Sequence, residues 1–216
     1  MNKYLKESIF WILILLPLAY LATIWKNLPA QVATHFDLQG NPNGWSSKNS
    51  LIYMIGGLGI GTYILMLLIP KYDPKKKIEQ MGKKYYTLRI VLTLFMAVIS
   101  CYILYSASGS KLSSNTLLML IGALFATMGN YMQTVKPNYF IGIKTPWTLE
   151  SEDVWRKTHK FGGRLWLIGG LIIIILSLIF KEGHILGISF IIITVIISLV
   201  PVIYSYIDFK RTQSSR

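Results

Sequence analysis

His35 and Asp37 stand two residues apart in LPAQVATHFDLQGNPNGWSSKNS, residues 28–50. In a strand that spacing puts imidazole and carboxylate on one face, a pair that could bind a metal or sense pH. Zinc takes three or four protein ligands, so a hydrogen bond from His35 within its own segment is the plainer expectation. His159 and Glu152 lie seven positions apart with no third partner, and a histidine facing solvent or headgroups is the simpler account. Cys101 is the single cysteine, which excludes an internal disulfide or a cysteine metal cluster. No HExxH, GxSxG, Walker-type phosphate loop or paired intramembrane aspartate occurs. The chemistry on offer is binding: no enzyme, no cofactor and no metal are expected.

Two polar segments carry that binding chemistry. In the first, Val32, Thr34 and Phe36 alternate with Ala33, His35 and Asp37 as in a short strand. Gly40, Asn41, Pro42, Asn43 and Gly44 supply turn chemistry, Asn43-Gly44 being a favoured hairpin pair. Trp45 suits a bilayer interface. A small folded cap is expected, with His35, Phe36, Asp37, Asn41, Gly44 and Trp45 on its outer surface.

The second segment is FIGIKTPWTLESEDVW, residues 140–155. Asn130, Gln133 and Asn138 lead into it, and Pro137 ends the helix before it. Gly142 permits a turn, and Pro146 holds Thr145 extended. Ser151 is placed to cap a short helix over 152–160. Glu152 and Asp153 sit at its positive end, with Arg156, Lys157 and Lys160 at its negative end. Glu152 reaches Arg156, and Asp153 reaches Lys157, at i,i+4 spacing. Val154, Trp155, Thr158 and Phe161 share a face, which predicts an amphipathic helix along the inner membrane surface with Trp155 embedded.

The elements that position both segments are membrane helices. The chain of 216 residues is 53% hydrophobic and 14% charged, where a soluble domain carries about 25% charged residues. Six stretches, 8–25, 51–70, 90–108, 116–134, 165–180 and 185–207, contain no Asp, Glu, Lys, Arg or His. A crossing takes roughly 20 apolar residues, and without water its backbone must bond internally. Continuous apolar runs without alternation select helices over barrel strands. Outside the spans, alternate segments counted from the N-terminus hold 18 Lys and Arg against 4 in the others. The positive-inside rule then puts both termini in the cytoplasm. The formal charge of +13 is mostly topology, with a weak attraction to anionic inner-leaflet lipid, and calls for no nucleic acid. The first stretch exceeds the 7–15 apolar residues of a signal sequence and is expected to stay as a helix. Pro17 and Pro201 fall inside the first and last spans and kink them.

The expected fold class is an all-α integral membrane protein of six transmembrane helices with both termini cytoplasmic. It has a small extracytoplasmic cap between helices 1 and 2 and an amphipathic interfacial segment between helices 4 and 5. Its expected parts are a helix hairpin, 1–70, with the cap at 28–50, and a solvated basic loop, 71–89. A four-helix portion, 90–207, follows with its cytoplasmic loop at 135–164, and then a tail, 208–216.

GNYMQTVKPNYFIGIKTPWTLESEDVWRKTHKFGG, residues 129–163, resembles the signature of the SdpI family of bacterial membrane immunity proteins. Shared features are the Gly-Asn, a second Asn, Gly-Ile before Thr-Pro-Trp-Thr-Leu, and Val-Trp before Thr-His. LPAQVATHFDLQGNPNGWSSK resembles the N-terminal domain of uncharacterised function that often precedes it. Lys144 departs from the family, which usually shows Arg there, and lysine lacks arginine's planar fork. The resemblance implies protection of a Gram-positive cell from a secreted peptide toxin that attacks the membrane. In the best-known arrangement the immunity protein also holds a small winged-helix autorepressor at the membrane. Asn130, Asn138, Gly142, Lys144, Thr145, Pro146, Trp147, Thr148, Trp155 and His159 would then shape the inner surface. An exporter of a peptide or small solute is the alternative, with no ionisable residue in the spans to mark an ion route.

Overall fold

The structure, a computed structural model, describes residues 3–37, 41–109, 113–180 and 183–214. Helix α1 (Lys3–Ile24) leads through a 3-10 turn, Trp25–Asn27, into strands β1 (Gln31–Phe36) and β2 (Pro42–Ser47). Helix α2 (Ser50–Gly56) runs through a π-helical turn, Gly57–Gly61, into α3 (Thr62–Tyr72). Then follow α4 (Lys77–Gln80), α5 (Lys83–Ala107), α6 (Ser114–Met132), α7 (Pro146–Glu150), α8 (Glu152–Ile179) and α9 (His184–Ser214).

Among the described residues, five helical runs are long and apolar enough to cross a membrane: Tyr4–Asn27, Ser50–Tyr72, Lys83–Ala107, Glu152–Ile179 and His184–Ser214. They coincide with five of the six expected spans. The expected span 116–134 folds as α6 but does not join them. Asn115 and Asn130 occupy its end turns and dilute a helix of only 19 residues.

Proline placement shows how these helices keep their backbones satisfied. A proline cannot donate to the carbonyl four residues before it, and in lipid that carbonyl needs another donor. Pro70 frees the Met66 carbonyl, which accepts from the Tyr85 hydroxyl at 2.5 Å. Pro201 frees the Ile197 carbonyl, which accepts from the Trp166 indole at 2.8 Å.

By contacts the chain divides into two compact units, Met1–Leu68 with Lys83–Leu117 and Ile69–Gly82 with Leu118–Arg216. In the first unit, β1 and β2 pair antiparallel, with Val32 opposite Ser46 and Ala33 opposite Trp45. Val32 is the bolt of this hairpin, buried with Leu21, Leu28, Leu51, Ile55, Leu104 and Ala107. The expected cap is therefore a β-hairpin seated on helix ends. Its reversal is not at Asn43-Gly44, which lie inside β2. The strands are instead joined after Phe36 and before Pro42, where the Asp37 amide donates to the Asn41 carbonyl at 2.9 Å; Gly40 lies outside the described residues.

In the second unit, α6 meets α8 backbone to backbone. A Cβ on Gly129 would stand 2.3 Å from the Leu167 nitrogen, and one on Gly170 2.4 Å from the Ala126 nitrogen. Such contact is open only to residues without a side chain. The loop after α3 corrects an expectation too, for 71–89 is not simply a solvated linker. Asp73 is buried and accepts from the amides of Lys75 and Ile78 at 3.3 and 2.7 Å. Ile78 is buried beside it, and Arg89 is buried in the first unit. The tail is likewise helical, since α9 continues to Ser214.

Gly170→Ala should lower stability by about 1–3 kcal/mol, the usual cost of forcing an atom into filled space. Gly56→Ala, whose Cβ would meet nothing within 4 Å, should be neutral or slightly stabilising. Thermal unfolding of both variants in detergent checks this.

Candidate functional site

In the second unit, residues 133–160 fold into a knot of local hydrogen bonds. Asn138 starts it. Its Oδ1 accepts from the Phe140 and Ile141 amides at 2.9 and 2.7 Å, and its Nδ2 donates to the Lys136 and Ile141 carbonyls at 2.8 and 3.0 Å. A buried side-chain amide with four bonds rigidifies its turn rather than waiting for a ligand.

His159 pins the next turn. Its Nε2 accepts from the Ile143 amide at 2.9 Å, and its Nδ1 donates to the Trp155 carbonyl at 2.8 Å. Accepting at Nε2 fixes the neutral tautomer carrying its proton on Nδ1. The ring stacks on Trp155 at 3.9 Å and 18°. Gly142 passes over both rings with φ +117°, and a Cβ there would lie 2.3 Å from His159 Nε2. Only glycine fits.

Thr145 is extended and accepts from the Thr148 amide at 3.3 Å, while Thr148 Oγ1 accepts from the Thr145 amide at 2.9 Å. This reciprocal cap, with Pro146 in the first turn, makes so short a helix as α7 stable. Trp147 then reaches α9, where its indole donates to Ser205 Oγ at 2.5 Å and its ring meets Tyr206 edge-on at 5.2 Å. Ser151 caps α8 as expected, accepting from the Val154 amide at 3.4 Å.

Four expectations need correction. His159 does not face solvent or headgroups: it is buried. Residues 152–160 are no separate surface helix; they are the first turns of α8, which runs unbroken to Ile179. Trp155 is not embedded in lipid: it is 1% exposed, and its indole donates to the Val135 carbonyl at 2.9 Å. The hydrogen bonds of 133–145 cover it with the chain's own loop. Of the acidic pairs, Asp153 meets Lys157 at 2.7 Å as expected, but Arg156 pairs with Asp153 at 2.7 Å rather than with Glu152.

Asn138, Gly142, Thr145, Pro146, Thr148, Trp155 and His159 therefore come together as one scaffold. Asn130 does not join its bonds and lies exposed on the last turn of α6. Lys144 is exposed, with Nζ donating to the Phe140 carbonyl at 3.2 Å. The scaffold presents Lys144, Tyr139 and Leu149 outward, beside the half-buried Trp147. Lys75 lies 5.2 Å from the Tyr139 ring centroid, and a hydrogen bond with Tyr139 raises its pKa above the ordinary lysine value. Two partners had no signal in the sequence: Ser205 and the Val135 carbonyl, 58 and 20 residues from the tryptophans they hold.

In the hairpin, His35 and Asp37 each find a partner within the segment. His35 Nδ1 is 2.5 Å from Asn43 Oδ1, and Asp37 accepts from the Asn41 amide at 2.8 Å. The expected bond within the segment is present. Gly44 lies opposite His35, where a Cβ would come 3.0 Å from the His35 Cβ. Trp45 is 57% exposed. The side chain of Phe36 lies outside the described residues.

Gly142→Ala and His159→Phe should each open the loop, since either strands the part-buried Ile143 amide. That loss is worth about 1–3 kcal/mol, or roughly 5- to 150-fold in local opening. Trypsin cleavage after Lys144, followed by mass spectrometry, reads it directly.

Residues 134–205 match the SdpI/YfhL protein family, and residues 12–60 match DUF1648, a domain of unknown function. Over 96 residues the chain is 31% identical to immunity protein SdpI of Bacillus subtilis (strain 168), covering 44% of this chain. The match spans about half of that relative, 45% of its length. No solved structure matches the chain. The family match begins at the entrance to the folded loop and runs through α8 into α9, so the resemblance carried by the Thr-Pro-Trp-Thr-Leu segment is one to the SdpI/YfhL family, preceded by a DUF1648 region.

Proposed function

We propose that this chain is a membrane immunity protein that protects a bacterial cell from a secreted peptide toxin. The observation that carries the proposal is the family match to 134–205, the stretch that builds the pinned loop and the helices holding it. Similarity to immunity protein SdpI supports the same reading.

In this proposal α6 is the sixth crossing, both termini are cytoplasmic, and the hairpin faces outward. His35, Asp37, Asn41, Gly44 and Trp45 then form the surface that meets the toxin, with Phe36 beside them. The pinned loop faces the cytoplasm, where Lys144, Tyr139, Leu149 and Trp147 offer a contact surface to a cytosolic winged-helix repressor. Toxin that favours one arrangement of the helices shifts the population of the inner surface, a coupling of about 1–3 kcal/mol in typical cases. The function is binding and signalling, without catalysis and without direct contact to nucleic acid.

Survival tests the proposal. The chain is expressed in a sensitive Gram-positive host and challenged with an SDP-type toxin peptide, at membrane levels matched across variants. Wild type should protect. Trp147→Ala, which loses the bond to Ser205 and the contact with Tyr206, should lower survival by about tenfold or more, consistent with a coupling of that size. Loss in Trp45→Ala alone would put protection in the hairpin and leave the loop for signalling. No protection by wild type would overturn immunity and favour export of a peptide or small solute.

A further inference from the structure

Glu7, Tyr63 and Arg89 meet in the first unit, brought together by α1, α3 and α5. Arg89 Nη1 and Nη2 donate to the two oxygens of Glu7 at 3.2 and 3.0 Å, and the Tyr63 hydroxyl donates to Glu7 Oε2 at 2.7 Å. The guanidinium lies 4.3 Å from the Phe10 ring centroid and 5.5 Å from that of Tyr63. Arg89 is only 9% exposed, and Phe10 is fully buried. This is a two-pronged pair walled by aromatic rings, the strongest geometry open to such a pair.

The pair is part-buried, with the Arg89 side chain 11% and the Glu7 side chain 30% exposed, and an ion pair so placed is an uneconomical way to add stability, because desolvation offsets much of the attraction and apolar residues hold as well. Its distinctive property is that it permits one arrangement and resists all others. The packing of α1 shows where such a device acts. Near its N-terminus α1 is held by Glu7, Phe10 and Ile14, against Tyr63 and Arg89. At its other end Leu21 belongs to the cluster of Val32, Leu51 and Leu104, which also seats the hairpin. Between the two groups Leu15 and Leu16 are exposed, while Pro17 itself is buried and removes the hydrogen bond that Leu13 would receive.

We propose that the Glu7–Arg89 pair is a latch and Pro17 its hinge. Closed, the pair holds the N-terminal half of α1 against α3 and α5. Opened, it lets that half swing while the hairpin end stays seated. Ten residues separate Glu7 from Pro17, about 15 Å of helix. A bend of about 20° at the proline then moves the N-terminal end by about 5 Å. The device stands whether or not the chain confers immunity, since its test needs no toxin.

Distances between spin labels on Tyr4→Cys and Thr87→Cys test it, in the full chain without Cys101 (Cys101→Ala) in lipid nanodiscs. The otherwise wild-type chain should give one narrow distribution. Glu7→Gln, close in shape but uncharged, should add a second population displaced by about 5 Å. The exchange Glu7→Arg with Arg89→Glu should restore the single population, and Pro17→Ala added to Glu7→Gln should suppress the second one. Should Glu7→Gln not give monodisperse protein, Tyr63→Phe removes one bond to the carboxylate and should show the second population at lower occupancy. A distribution unchanged in the neutralised variant, or in Tyr63→Phe where that substitute is needed, overturns the latch. So does a second population that the exchange does not remove, and one that survives Pro17→Ala overturns the hinge.

Discussion

The His159 ring is asked to do two opposite things at once, accepting at one nitrogen and donating at the other. Only the neutral imidazole can do both, and only in one tautomer. Everything downstream in the loop follows from that bond to Ile143. It sets where Thr145 stands, hence where α7 starts, hence where Trp147 reaches α9. The stack on Trp155 keeps water out, and the glycine at 142 leaves room for the backbone to pass over the ring. A loop held this way has little freedom left to adapt. Whatever binds it must fit a preformed surface, which lowers the entropy lost on association.

The same feature explains why the segment is polar between two apolar helices. A loop of this length has many backbone groups to satisfy, and the side chains of Asn138, Thr145, Thr148, Ser151 and His159 satisfy them locally. Polar residues here are structural first. What they leave exposed is Lys144, Tyr139 and Leu149, beside the half-buried Trp147.

Much of the local structure is legible in the sequence. The cap at Ser151, the extended Thr145 before Pro146, the turn at Gly142 and the strand over 31–36 all rest on chemistry within a few residues. The sequence is silent where a partner is distant or a pattern fits two structures. An apolar stripe containing Trp155 fits a lipid-facing helix and a helix covered by its own loop equally, and only the bond to Val135 decides. Asn-Gly favours a hairpin reversal, yet the chain turns earlier, where Asp37 and Asn41 close the loop between them. Glu7 and Arg89 each sit at the end of an apolar run, where composition reads them as ordinary flanking charges. Their pairing across 82 residues has no sequence signal.

Pro70 and Pro201 carry a consequence for how the chain is made. Each leaves a helix one hydrogen bond short, and the missing donor belongs to another helix. Tyr85 is synthesised after Pro70, so the first of these helices leaves the ribosome with an open carbonyl that its successor closes. Trp166 precedes Pro201, so the last helix finds its donor already in place. Neither helix is a finished object by itself in lipid. During biogenesis each becomes complete only on docking, which ties membrane insertion to tertiary assembly at two defined atoms.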